Sequence, residues 1–368
     1  LSPEAHEQPV PARDRATTLR GLAVLGWLVL TAVLTSVVAE GLGLRTATSP
    51  AWPTDVHAWT QRPEGPPPDV VILGSSRASF DLTPASIDAC LSSGLGRPTT
   101  TVNLARTFAT ANSYARTWRT LLDTEASRPR MLVIGVGPEA FDDHNPMLPS
   151  RLRLDVPLAE VPRELAGLTS PAELIAVLRA PVRGVESLVR MVVGRHRKDA
   201  RLRWLMVHHG GGQWCEGSGA CTRQNASAAA INNRWPDISP EHFASIPEER
   251  FGSYTIDGGR VAAAMDELLD SAAAAGTEVV LVRLPLHDDF REAIPPEHYA
   301  AYIAHTDQLA ARPGVTLFDA HKPQVTRDKR AWIDPDHLAP RPSLRLSREL
   351  CRTTLLPLLK GTPAAGGR

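Results

Sequence analysis

Five short aliphatic runs, rich in β-branched residues, set the tightest limit on how this chain folds. They are Val70 to Leu73, Thr100 to Leu104, Met131 to Val136, Glu278 to Leu284 and Val315 to Phe318. Each is close to continuously apolar rather than alternating, the pattern of strands buried on both faces. Helical patterns lie between several of them, over Pro84 to Leu91, Asn112 to Leu122, Val261 to Ala275 and Ser343 to Leu359. This alternation predicts an α/β fold: a parallel five-stranded sheet inside a three-layer α/β/α sandwich of flavodoxin-like order. Reacting groups in such sheets gather at the C-terminal ends of the strands.

Two short motifs fall where that rule directs attention. Asp69-Val70-Val71-Ile72-Leu73 runs straight into Gly74-Ser75-Ser76-Arg77, so the first strand delivers a serine onto a Gly-containing turn. Far along the chain stands Asp334-Pro335-Asp336-His337. Together they hold a nucleophile, a base and an orienting carboxylate, the minimum set for acyl transfer through a serine ester. Asp334-Pro335-Asp336 is also readable as a simple cap on the last helix.

Composition removes some alternatives. Lys plus Arg number 40 and so do Asp plus Glu, which leaves no basic excess to draw nucleic acid. The 368 residues are 43% hydrophobic, enough for one large α/β domain with an insertion or for two small domains. Residues 21–39 carry no charge, with Arg13, Arg15 and Arg20 before them and Glu40 after. That length and flanking charge predict a transmembrane anchor with residues 1–20 in the cytoplasm and the remainder outside. The competing reading is a cleaved signal peptide ending at Val37-Val38-Ala39.

Residues 40–68, rich in Pro, Ala and Trp, read as a spacer. Residues 69–360 form the folded domain, interrupted at about 144–260 by an insertion, and 361–368 read as a disordered tail. The insertion contains the basic run Arg195-His196-Arg197-Lys198 and Trp204, Trp214 and Trp235, a possible stacking platform for carbohydrate. Its His209-Gly210-Gly211-Gly212 looks like a lipase oxyanion sequence but has no Gly-x-Ser-x-Gly elbow to serve. Cys215 and Cys221 bracket a Gly-rich loop and are expected to close a small disulfide ring, whereas Cys90 and Cys351 read as buried thiols.

The Gly-Ser-Ser turn, Pro138 to Phe141 after the third strand, and the terminal Asp-x-x-His resemble, in this order, the blocks of the SGNH (GDSL-type) hydrolases. The resemblance is greater to a membrane-anchored, extracytoplasmic branch that includes DltD-type D-alanine-transfer and alginate-acetylation proteins. It spans about Asp69 to Leu359 and leaves the insertion unmatched. It implies Ser76 as nucleophile, with Ser75 the lesser alternative, His337 as base, and Asp334 as its orienting acid ahead of Asp336. The oxyanion hole it implies is built from the backbone N–H of Ser76 and Ala105, with Gly137 standing where many members have Asn. Asn103 is either a substitute donor or the closing residue of its strand. Losing one such donor typically costs about a hundred- to a thousandfold in rate.

Arg77, Glu139, His287 and Asp288 are candidate substrate contacts, with Asp142, Asp143 and Asp289 beside them; loop solvation accounts for this group almost equally well. His287-Asp288-Asp289 lacks a second ligand set at metal spacing, and no cofactor is implied. The resemblance implies an acyltransferase or esterase at the cell membrane of a bacterium. Its acceptor would be an envelope polysaccharide or polyol and its partner a polytopic O-acyltransferase. The rival expectation is a non-catalytic envelope scaffold or glycan-binding subunit.

Overall fold

The computed structural model describes residues 67–105, 109–122, 128–143, 256, 259–334 and 336–361, together with Trp27, Leu30, Thr31 and Leu34; the side chains at 323, 324, 329, 333 and 334 are excluded. Most of the predicted anchor, the spacer up to residue 66, nearly all of the insertion and the tail after 361 lie outside these residues. So do the basic run at 195–198, Trp204, Trp214, Trp235, the His209 to Gly212 sequence and the Cys215/Cys221 pair. Among the described residues no helix is long and apolar enough to cross a membrane.

The strands are β1 (Val70–Gly74), β2 (Thr101–Asn103), β3 (Met131–Val136), β4 (Glu278–Arg283) and β5 (Val315–Asp319). They form one parallel sheet in the order β2-β1-β3-β4-β5. The central strands β1 and β3 are buried along their whole length, as their unbroken apolar sequence requires. Alternate side chains enter two separate cores. Val71, Leu73, Leu132 and Ile134 meet α3 (Ala111–Leu122), α4 (Arg260–Ala274) and α6 (Pro296–Ala310) through Trp118, Met265 and Tyr302. Val70, Ile72, Met131 and Val133 face the opposite layer: α1 (Ser76–Asp81), α2 (Pro84–Leu95) and the C-terminal helix. That last helix runs as α8 (Pro340–Leu350), a π-helical stretch (Cys351–Leu355) and α9 (Leu356–Gly361). The architecture is therefore α/β, with helices on both faces of a five-stranded parallel sheet.

Two of the remaining elements carry the site. Beyond α5 (Asp288–Ala293) and β5, a short helix α7 (Pro323–Thr326) leads into an antiparallel hairpin of β6 (Trp332–Asp334) and β7 (His337–Leu338). This hairpin, not the start of the last helix, holds Asp334; the cap of α8 is Ala339, followed by Pro340. The capping explanation for the Asp-Pro-Asp sequence is thereby excluded.

Cys90 and Cys351 are bonded to each other, which corrects the expectation of two buried thiols. Both lie in helical segments, and nothing in the local sequence says that α2 and the last helix pack side by side. That packing brings their Cα atoms to 6.4 Å, within disulfide reach.

Candidate active site

The site begins with the close meeting of β1, β3 and α1. Gly74 has φ 154°, a conformation that side chains disfavour, and a Cβ there would stand 2.3 Å from the Cβ of Ala78 and 2.8 Å from the carbonyl oxygen of Gly135. Gly135 is just as tight, 2.6 Å from the same Ala78 atom. Bare backbone at both positions lets α1 start directly off the strand end, over the C-terminal edge of the sheet. Ser75 caps that helix, its hydroxyl accepting the Arg77 N–H, which gives it a structural duty. Ser76 is the first helical residue and is half-buried.

The opposite half comes from the hairpin. Its β7 strand is docked on α1 by the Leu338 N–H, which donates to Asp81 Oδ1 at 2.8 Å. The C-terminal helix reinforces the dock: Ser343 Oγ donates to the Phe80 carbonyl at 2.8 Å, and Ser347 Oγ accepts the Thr83 N–H at 2.8 Å. Held in this way, His337 places Nε2 2.9 Å from Ser76 Oγ. The Phe80 ring, one helical turn beyond Ser76 on the same face, meets the imidazole edge-on at 4.9 Å. On the other side of the ring, His337 Nδ1 lies 3.2 Å from Asp336 Oδ1. With Nδ1–H turned to that carboxylate, Nε2 is left to accept the serine proton. Both Ser76 and His337 keep some solvent exposure, His337 about 15% of its side chain.

The carboxylate seen on the ring is thus Asp336, while Asp334 pairs with His337 through the hairpin register and its side chain lies outside the described residues. The expectation that Asp336 would point away rested on its being the immediate neighbour of His337 in sequence, but it sits in the turn, where adjacent side chains can meet.

Several other expected contacts are corrected. Arg77 is 1% exposed, not a surface contact for substrate; its guanidinium pairs with Glu139 and lies 3.7 Å (Nε) from Asp336 Oδ2. Burial alone would lower its proton affinity, but Glu139 and Asp336 outweigh that and raise it. Glu139 is consequently committed to Arg77. His287 is buried and caps α5, its Nδ1 accepting the Asp289 N–H at 3.1 Å. Asp288 takes Arg327 at 3.2 Å and has Arg291 at 3.7 Å. Burial pushes its carboxyl up, yet the Thr326 hydroxyl, Arg327 and Arg291 together hold it below the ordinary range. Asp142 is buried, and Asp143 accepts the Val261 N–H. Glu139, Asp143 and Asp288 thus fasten loops to helices.

The oxyanion candidates separate in the same manner. The Ser76 N–H belongs to the first turn of α1. The Ala105 N–H donates to Asn103 Oδ1 at 2.9 Å, so it is engaged in this state. The Asn103 amide nitrogen donates to the carbonyls of Ala78 and Leu82, both at 3.1 Å, which settles its role as a clamp between β2 and α1. Gly137 opens the 3-10 turn Pro138–Ala140, and a Cβ on it would stand 2.0 Å from Arg77 Nη1. The guanidinium occupies the volume into which an Asn side chain at this position would project.

Sequence reasoning missed Asp81 entirely. It is fully buried and its carboxyl is pushed up to about 8 by burial, against the pull of His337, the Leu338 N–H and Arg77. Its position five residues after Ser76, at the end of a short helix, was the available signal.

Comparison with known proteins adds one likeness. No family model matches the chain, and no curated protein matches it. A solved structure from Streptococcus pneumonia, described provisionally as a platelet activating factor, aligns over 90% of this chain and 97% of its own, at 10% identity and a TM-score of 0.35. A likeness at that level carries no functional argument.

Proposed function

We propose that the chain is a serine-dependent O-acyltransferase or esterase that works through an acyl-enzyme on Ser76. The observation that carries this reading is the Ser76–His337–Asp336 arrangement at the C-terminal edge of the sheet. In the first half-reaction Ser76 Oγ attacks the acyl carbonyl while His337 Nε2 takes the serine proton. Collapse of the tetrahedral species breaks the donor's C–O bond, and His337 returns the proton to the leaving oxygen. An acceptor hydroxyl, or water, then attacks the ester with His337 again as base, freeing Ser76.

The extracytoplasmic setting, with a cell-envelope polysaccharide or related polyol as acceptor and a polytopic acyltransferase as partner, belongs to the same proposal. It draws support from the uncharged stretch at 21–39 and from the Cys90–Cys351 bond, which persists most readily in an oxidising compartment.

A second reading, a non-catalytic scaffold or glycan-binding subunit, is favoured by one observation: the Ala105 N–H is taken by Asn103 rather than turned to a substrate oxygen. The two readings part on covalent chemistry. A fluorophosphonate probe should modify Ser76 in the full chain and leave Ser76→Ala untouched. Transfer parts from hydrolysis by adding a hydroxylated acceptor to a chromogenic ester: acceleration with ester product marks transfer, and acceptor-independent release marks hydrolysis.

A further inference from the structure

Arg77 is only 1% exposed and so has almost no surface with which to meet a substrate, yet its guanidinium reaches the carboxylate that touches His337. Its guanidinium pairs with Glu139 on one side and approaches Asp336 on the other, and Asp336 in turn is the carboxylate on His337 Nδ1. Its Nη1 is buried and has no hydrogen-bond partner among the described residues. Nη1 fills the space beside Gly137, where any side chain would displace it. Arginine in the residue after the serine and glycine where an asparagine donor is expected are therefore one feature. The glycine exists to make room for the cation.

We infer that Arg77 is a positioning residue for the Ser76–His337 pair, acting through Asp336. This inference rests on the serine-acyl reading for its catalytic meaning, though not for its electrostatics. The guanidinium, hydrogen-bonded to Glu139 and 3.7 Å from Asp336, favours the charged form of the Asp336 carboxylate, and that carboxylate holds the imidazole tautomer. Glu139 sets how much of the Arg77 charge reaches Asp336. Among the described residues, Ser76 and Phe80 touch His337 from α1, Asp81 acts on it from the same helix, and Asp336 reaches it from the hairpin turn.

The test is the titration of His337 in the full chain, followed by NMR with ¹³C-labelled histidine and assigned by difference against His337→Gln. Removing a cation raises the proton affinity of its neighbours, so Arg77→Met should move the His337 midpoint up, on the order of one pH unit if the charge acts through Asp336. Gly137→Ala should move it in the same direction without deleting any functional group, because the new Cβ expels the guanidinium. Glu139→Gln removes an anion and should move the midpoint down. A purely structural arginine would lower the melting temperature and produce no such opposed pair of shifts.

The fluorophosphonate rate at its high-pH plateau should fall at least about tenfold in Arg77→Met, as expected when a general base loses its alignment. Arg77→Lys, which keeps the charge and loses the fork, should restore the midpoint better than the rate. An unmoved midpoint in both Gly137→Ala and Glu139→Gln overturns the inference, and so does an unchanged plateau rate in Arg77→Met. If the wild-type chain does not label at all, the acyl reading fails, while the titration still decides whether Arg77 governs His337.

Discussion

Two arginines are buried at the C-terminal edge of this sheet, and they are used in opposite ways. Arg283 ends β4 and spends its donors on fixed acceptors. It reaches the Thr306 hydroxyl at 2.6 Å, the Ile303 carbonyl at 2.8 Å, Asp307 at 2.5 Å and Asp319 at 3.3 Å. The result is a seam that ties α6 to β4 and β5. Arg77 is similarly buried, but among the described residues its Nε and Nη1 make no hydrogen bonds, and it pairs with carboxylates, one of which touches His337. A saturated guanidinium stabilises an edge. An under-satisfied one, kept in place by a glycine cut to fit it, is arranged around a site.

The largest effect expected is at the pair that this contrast surrounds. Ser76→Ala and His337→Ala should each lower ester turnover by at least about a thousandfold, the loss usual when a member of such a unit is removed. Retained turnover in either variant would strip the Arg77 region of its meaning as a site.

The two arginines themselves provide the next test. Arg283→Met leaves two half-exposed aspartates without a counter-charge and should cost about 1–3 kcal/mol in denaturant melts, less than a fully enclosed pair because solvent screens those partners. It should leave the His337 midpoint where it was. If Arg283→Met shifts His337 as strongly as Arg77→Met does, the contrast collapses.

Asp81 sharpens the picture through pH. Its native carboxyl titrates at about 8, far above the 3.8 of an ordinary aspartate, so the folded state resists its ionisation. The stability that this group contributes is whole below the unfolded value and is lost as pH climbs from about 4 through 8. Asp81→Asn keeps an oxygen for the Leu338 N–H and cannot ionise. Its melting temperature should exceed that of the wild type by several degrees at pH 8.5, and the difference should vanish as pH falls below about 3, where both states hold the proton. A constant difference across that window would show that Asp81 ionises freely in the folded chain.

The smallest effect belongs to Ser75. As a cap, its replacement by Ala should cost about 1 kcal/mol and leave the labelling rate within a factor of a few, distinguishing it cleanly from its neighbour.

Much of the architecture was legible in advance because it depends on local pattern. The five apolar runs became five strands within a residue or two at each end, since buried parallel strands must be continuously apolar. The Gly-Ser-Ser turn was legible for a similar reason: a glycine directly after such a run signals an abrupt change of direction. α6 went unread because its apolar residues make a weak helical stripe, and the β6–β7 hairpin because two- and three-residue strands carry almost no periodicity.

Within the site, the serine and histidine were nameable from their motifs, while the roles around them depend on long-range packing. Arg77 was named as a candidate substrate contact, and an arginine is ordinarily exposed. Only the approach of the β3 turn, with Gly137 and Glu139, converts it into a buried brace. Asp336 was ranked behind Asp334 because it adjoins His337 in sequence, and the hairpin turn that lets neighbouring side chains meet was not legible. Cys90 and Cys351, separated by 261 residues, could be joined only once the two helices were seen to pack together.

The account stands on Ser76 being an activated nucleophile, and its most direct test is to map where a fluorophosphonate adds to the full chain. Mass spectrometry of the labelled protein should find a single adduct on the peptide containing Gly74-Ser75-Ser76-Arg77, located at Ser76, with a rate that rises as His337 loses its proton. A folded chain that stays unlabelled across pH 5–9, or that carries its adduct on another residue, would contradict it.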